Sequence, residues 1–178
     1  MNTVANRTFQ SVIKESADSY GERQALSFVG EEGYTYGSAF KKIEALVAYL
    51  EKLGIEQKDK VALIGPNFPE WVISYLAVTY MGAIIVPILH DFSATEVYEI
   101  VVHSEAKAFI VDAKTASSMD KYPGSLSHVI SLEDFSLLRT GGRKAEFIKD
   151  ARPANKYEVT EDDLAAIIYT SGTTGNSK

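Results

Sequence analysis

The last ten residues of the 178-residue chain carry its densest chemistry. Tyr169-Thr170-Ser171-Gly172-Thr173-Thr174-Gly175-Asn176-Ser177-Lys178 gathers hydroxyls, two glycines and a lysine directly behind an apolar segment. Glycines accept positive φ and let backbone N–H groups come close to an anion, since no Cβ intervenes. Ser and Thr hydroxyls add donors, and a lysine ammonium brings a mobile positive charge for charge-assisted hydrogen bonds. This is the composition of a phosphate cradle. The spacing is not that of the nucleotidase P-loop, which needs Gly, four residues, then Gly-Lys-Ser/Thr. Here Asn176 follows Gly175, and Ser177 precedes Lys178. A random polar tail would rarely join these residues to a preceding apolar strand.

A phosphate cradle needs rigid elements to aim it, and the upstream sequence supplies them. Leu164 to Tyr169 reads as the strand that delivers the loop, with Thr160-Glu161-Asp162-Asp163 as a cap for a single turn before it. Further back, short apolar strands begin near Val61, Ile84, Ala108 and His128 and alternate with helices. Pro69 opens one helix, as proline suits the first turn, and Gly82 closes it. Ser93-Ala94-Thr95-Glu96 has capping-box spacing for the next. Near-continuous apolar strands alternating with helices predict parallel βαβ units in an α/β, three-layer fold. Phe9, Val12, Ile13, Ala17 and Tyr20 mark a first helix, and Ala25 to Tyr36 a peripheral hairpin. Phe40, Ile43, Leu46, Val47, Leu50 and Leu53 form the apolar stripe of a second helix that Gly54 ends.

Composition narrows the function. A formal net charge of -6 argues against a nucleic-acid binder, since phosphate neutralisation needs clustered Lys and Arg. With no cysteine there is no disulfide, thiolate metal site or thiol nucleophile. The clean apolar run Ala83 to Leu89 falls short of the ~20 residues of a membrane span. A cytoplasmic protein, at most peripheral to a membrane, is the expectation. His90, His103 and His128 are too scattered for a triad or a metal set. Trp71 reads as core rather than as a ring stacked on adenine. Glu70 and Asp91 read as solvated or capping carboxylates.

The terminal loop resembles the signature loop of the adenylate-forming superfamily, which includes acyl-CoA synthetases, luciferases and the adenylation domains of peptide synthetases. The family pattern is Tyr-Thr/Ser-Ser-Gly-Ser/Thr-Thr-Gly, a variable residue, then Pro-Lys-Gly. Tyr169 to Gly175 match throughout; Ser177 replaces the proline, and Lys178 keeps the lysine register. Tyr34-Thr35-Tyr36 and Lys58-Asp59-Lys60-Val61-Ala62 resemble further family segments. Pro66-Asn67-Phe68-Pro69-Glu70-Trp71, Tyr80-Met81-Gly82-Ala83 and Val86-Pro87 resemble the long-chain fatty acyl-CoA synthetases in particular.

The resemblance implies an ATP- and magnesium-dependent ligase that turns a fatty acid into an acyl-adenylate and then, with coenzyme A, into a thioester. Thr170, Ser171, Gly172, Thr173, Thr174, Gly175 and Lys178 would hold the β- and γ-phosphates, steadying charge on the departing pyrophosphate. They position rather than transfer protons, and no catalytic acid, base or metal ligand is assigned. The family's adenine, acyl, magnesium and C-terminal lysine sites fall beyond Lys178. The chain is therefore expected to be a truncated N-terminal piece, inactive by itself. Residues 1–138 would form an α/β subdomain, 139–163 a linker or surface excursion, and 164–178 the start of the next subdomain. Strand 164–169 should lead away from the first unit, and apolar surface there and around Phe147 and Ile148 should drive self-association. Two alternatives are a ligase for an aryl, short-chain or amino acid, and a non-enzymatic α/β binding module.

Overall fold

The computed structural model describes residues 7–119 and 121–170. Helix α1 (Phe9–Tyr20) starts where the Thr8 hydroxyl accepts from Ser11 N–H. Strands β1 (Gln24–Leu26) and β2 (Tyr34–Thr35) pair antiparallel as the small peripheral hairpin. Helix α2 (Tyr36–Leu53) begins earlier than its apolar stripe suggests, because Thr35 and Ser38 form a reciprocal capping box. It ends at Gly54, whose φ of 85° lies in the left-handed region that other residues enter at a cost.

The main sheet contains β3 (Lys60–Ile64), β4 (Ile84–Pro87), β5 (Ala108–Val111), β6 (His128–Ser131) and β7 (Leu137–Thr140) in the order β4-β3-β5-β6-β7. All neighbours are parallel except β6 and β7. Helix α3 (Pro69–Tyr80) links β3 to β4, and α4 (Ala94–His103) links β4 to β5. Those two steps run in opposite directions across the sheet, so right-handed crossovers put the helices on opposite faces. The strand residues divide accordingly. Val61, Leu63, Ile85, Ala108, Ile110 and Ile130 join the core beneath α2 and α3. Ala62, Ile64, Val86, Phe109, Val111 and Val129 join the core beneath α4 and the short α5 (Ala113–Ser118). Three layers result, as the alternating pattern predicts.

Residues 139–163 are not a free linker. Leu137–Thr140 closes one edge of the sheet as β7, so the boundary expected after residue 138 falls inside a strand. The following segment is a strap over the α2–α3 face. Phe147 sits edge-on to Phe135 and Tyr49, at 5.0 and 6.0 Å between ring centroids. This removes Phe147 from the apolar surface expected to be exposed, while Ile148 remains 52% exposed. The Glu51 carboxylate on α2 accepts from the N–H groups of Ala154 and Asn155 and from the Tyr157 hydroxyl. Gln10 donates to the Tyr157 carbonyl and Gln57 to that of Glu158. Where the strap passes Gly82 the fit is close: a Cβ would stand 2.8 Å from Gln57 Nε2 and 3.2 Å from Val159, and the φ of 73° itself favours glycine.

Tyr49, whose ring meets Phe147 of the strap, is buried at a cost. Its ring is 2% exposed, yet its hydroxyl has no hydrogen-bond partner among the described residues. Burial, with the Asp134 charge adding to it, pushes the phenol from 10.0 up to about 12. An unsatisfied buried hydroxyl costs about 1–3 kcal/mol. Tyr49→Phe should therefore raise stability in urea by about 1 kcal/mol. The folded state holds the proton more tightly than the unfolded one, so Tyr49 takes away further stability as pH rises from 10.0 through about 12. That part of the alkaline loss should vanish in Tyr49→Phe; a destabilised variant would show that the hydroxyl has a partner.

Candidate phosphate-loop base

The strap ends at the other edge of the sheet from β7, beside β4. A turn at 160–163 precedes the docking, with Asp163 accepting from both the N–H and hydroxyl of Thr160. Ala166 then pairs parallel with Ile85. The bridge consists of two backbone hydrogen bonds, Ile85 N–H to the Ala165 carbonyl and Ile167 N–H to the Ile85 carbonyl, each 3.0 Å. This corrects the expectation that residues 164–169 lead away from the first unit: they extend its sheet. The physical reason is the unpaired side of β4, whose polar backbone must otherwise be left to solvent. Side chains alternate as a strand requires, Ala166 toward the α2–α3 core, Ile167 and Tyr169 toward the α4 core. Leu164 and Ile168 stay exposed, at 58% and 69%.

Being parallel to β4, the segment heads toward the end where β3, β4 and β5 finish. Ligands of open parallel sheets bind beyond that end. Of the loop residues singled out in the sequence, Thr170 is described and is exposed. Ser171, Gly172, Thr173, Thr174, Gly175 and Lys178 lie outside the described residues.

Tyr169, the residue before the loop, is 7% exposed. Its hydroxyl stands 2.6 Å from Nδ1 of His103 in the last turn of α4, with the rings edge-to-face at 5.6 Å. Burial pushes the phenol pKa up, with the Lys60 charge opposing, so the phenol keeps its proton; which partner donates is set by the imidazole tautomer. Sequence reasoning missed this contact. His103 and Tyr169 are 66 residues apart, and no local pattern joins them.

Of the other residues singled out, Asp91 is exposed, while Trp71, Glu70, His128 and His90 have neighbours that account for them. Trp71 stacks on Tyr75 at 5.6 Å and is half-buried. Glu70 accepts from Lys42 and Tyr34; burial opposes its ionisation, but those hydrogen bonds prevail and hold the carboxyl below its ordinary range. Buried His128 lies 3.0 Å from the Thr140 hydroxyl, and burial pushes its pKa down, favouring the neutral ring. Asp112 caps α5 through Oδ1, while its buried Oδ2 has no hydrogen-bond partner among the described residues and stands 4.0 Å from His90. Among the described residues no three His, Asp or Glu side chains converge to hold a metal ion. Nor is any described helix long and apolar enough to cross a membrane.

Comparison with known proteins adds the family. The chain is 29% identical over 96% of its length to a methyl-dioxo-octahydroindenyl propanoyl:CoA ligase of Rhodococcus jostii, covering 36% of that protein. It is 28% identical over 98% of its length to 2,3-dihydroxybenzoate-AMP ligase of Bacillus subtilis, covering 33% of it. It thus spans about a third of the length of these curated relatives. The fold matches the Klebsiella oxytoca NpsA N-terminal subdomain in complex with 3-hydroxyanthranilyl-AMSN, with a TM-score of 0.78 and 25% identity, over 98% of this chain and 41% of that one. The AMP-binding enzyme family model matches residues 13–178, and the chain belongs to that family.

Proposed function

We propose that the protein containing this chain is an AMP-forming acid–thiol ligase. The observation that carries the reading is the run Tyr169 to Lys178, in family register, behind a segment bridged in parallel to β4. In the proposed reaction a carboxylate oxygen attacks the α-phosphorus of ATP. The bond to pyrophosphate breaks, and a thiol then displaces AMP from the acyl-adenylate. The chain's own contribution is to hold the leaving group: Thr170, Ser171, Thr173 and Thr174 hydroxyls, the backbone at Gly172 and Gly175, and the Lys178 ammonium gather around the β- and γ-phosphates. Donors placed where charge develops lower the barrier without reorganising. Magnesium, which the family resemblance implies, finds no cluster of three ligands among the described residues, and none of this chain's residues is assigned to it.

We further propose a fatty acid as the carboxylate and coenzyme A as the thiol, on the strength of the Pro66–Trp71 stretch. The Rhodococcus and Bacillus relatives take chemically different acids, so a panel of substrates is the discriminating test. ATP–pyrophosphate exchange by the whole protein should depend on palmitate rather than on benzoates or amino acids. Lys178→Ala should cut the exchange by about 10²–10³, and the 178-residue chain alone should give none. Exchange with an aryl or amino acid in place of palmitate would move the acid assignment. Exchange indifferent to Lys178→Ala would remove the loop from the mechanism. The outer edge of segment 164–168, with Leu164 and Ile168 exposed, is the surface proposed for self-association of the isolated chain. Light scattering should show dimers or larger species at high micromolar concentration; a monomer up to millimolar would contradict it.

A further inference from the structure

We propose that His103 is a positioning residue for the phosphate loop, acting through Tyr169. This rests on reading Tyr169–Lys178 as that loop. The edge bridge fixes the chain only as far as Ile167, whose N–H makes the last of its two hydrogen bonds. Ile168 is largely exposed and anchors nothing. The next hold on the chain is the Tyr169 side chain, buried against the α4 core, and its hydroxyl bonds to His103 at 2.6 Å. Thr170 beyond it is exposed. His103 therefore sets where the chain leaves the protein surface without being part of the loop itself.

The base on which His103 stands is well fixed. Ser104, which caps α4, donates its N–H to Ile100 and its hydroxyl to Val101. Glu105 follows and pairs with Lys60 on β3 at 2.7 Å. The end of α4 is thus tied to β3, the inner neighbour of β4, and His103 passes that position on to Tyr169. A displacement of about 1 Å in groups aimed at reacting phosphates can cost about 10² in rate. A single hydrogen bond at the root of a short loop is therefore enough to be felt in ATP use.

The geometry specifies its own controls. An asparagine side chain can put an amide oxygen or nitrogen where Nδ1 stands, to accept or to donate, and Tyr169→Phe removes the hydroxyl while keeping the ring. The whole protein would be assayed by ATP–pyrophosphate exchange, with thermal midpoints measured alongside. His103→Ala should raise KM for ATP about tenfold, the effect of one neutral hydrogen bond, with little change in KM for the acid. Tyr169→Phe should match it, and the double variant should be no worse than either single one. His103→Asn should recover most of the loss. An unchanged KM for ATP in His103→Ala, or equal loss in Asn and Ala variants with normal midpoints, would overturn the proposal. If His103→Ala fails to fold, the Asn and Phe variants decide it. Lys178→Ala separates this idea from its foundation: a loss there with none in the His103 and Tyr169 variants sinks the positioning role alone. No loss at Lys178 removes the loop reading, and this inference with it.

Discussion

Two backbone hydrogen bonds at Ile85 govern how the chain presents its chemistry. They join residues 165–167 to the free side of β4, and everything proposed for Thr170 to Lys178 depends on the direction they set. A parallel bridge sends the chain toward the carboxyl ends of the strands. An antiparallel one would send it the opposite way, to where the crossover helices return. The bridge is short, and a bare edge strand has other partners available to it. It persists because residues on both sides of it are held independently, by the strap before and by Tyr169 after.

The strap is what makes a sixth strand position reachable. β7 lies at the far edge of the sheet from β4, so the chain must cross a whole face to get there. It crosses the α2–α3 face with Phe147 inserted beside Tyr49 and Phe135, and with Glu51 receiving two N–H groups and a hydroxyl. Several hydrogen bonds to one carboxylate are stronger than neutral ones. They hold a segment whose sequence has few apolar residues to bury. Burial and that same carboxylate push the Tyr157 phenol above its ordinary range, so the clamp keeps its donor even where a free phenol would ionise.

Local signals in the sequence were enough for the sheet and not for the strap. The apolar strands at Val61, Ile84, Ala108 and His128, with Pro69, Gly82 and the Ser93–Glu96 box between them, identify parallel βαβ units because each signal acts within a few residues. The strap depends on contacts such as Ala154 with Glu51, 103 residues apart, and no periodicity reports those. Its polar, Gly- and Pro-containing composition reads as a linker for that reason. β7 was hidden likewise: Leu137 and Leu138 are too short an apolar pair to announce a strand, and only the free edge of β6 makes them one. The loop was legible by type and spacing. His103 was not, since a lone histidine ending an amphipathic helix looks the same whether or not a tyrosine comes to meet it.

The central claim is that segment 164–169 belongs to this sheet, and hydrogen exchange at one amide tests it. Ile84 N–H is bonded inward to the Asp59 carbonyl, while Ile85 N–H points outward to Ala165. Residue-resolved exchange should find Ile85 protected to a degree comparable with Ile84, since both are bonded across a sheet. If Ile85 instead exchanges at the rate of a solvent-exposed amide while Ile84 stays protected, β4 is a bare edge and the segment runs elsewhere. The phosphate loop would then not be aimed at the carboxyl ends of the strands.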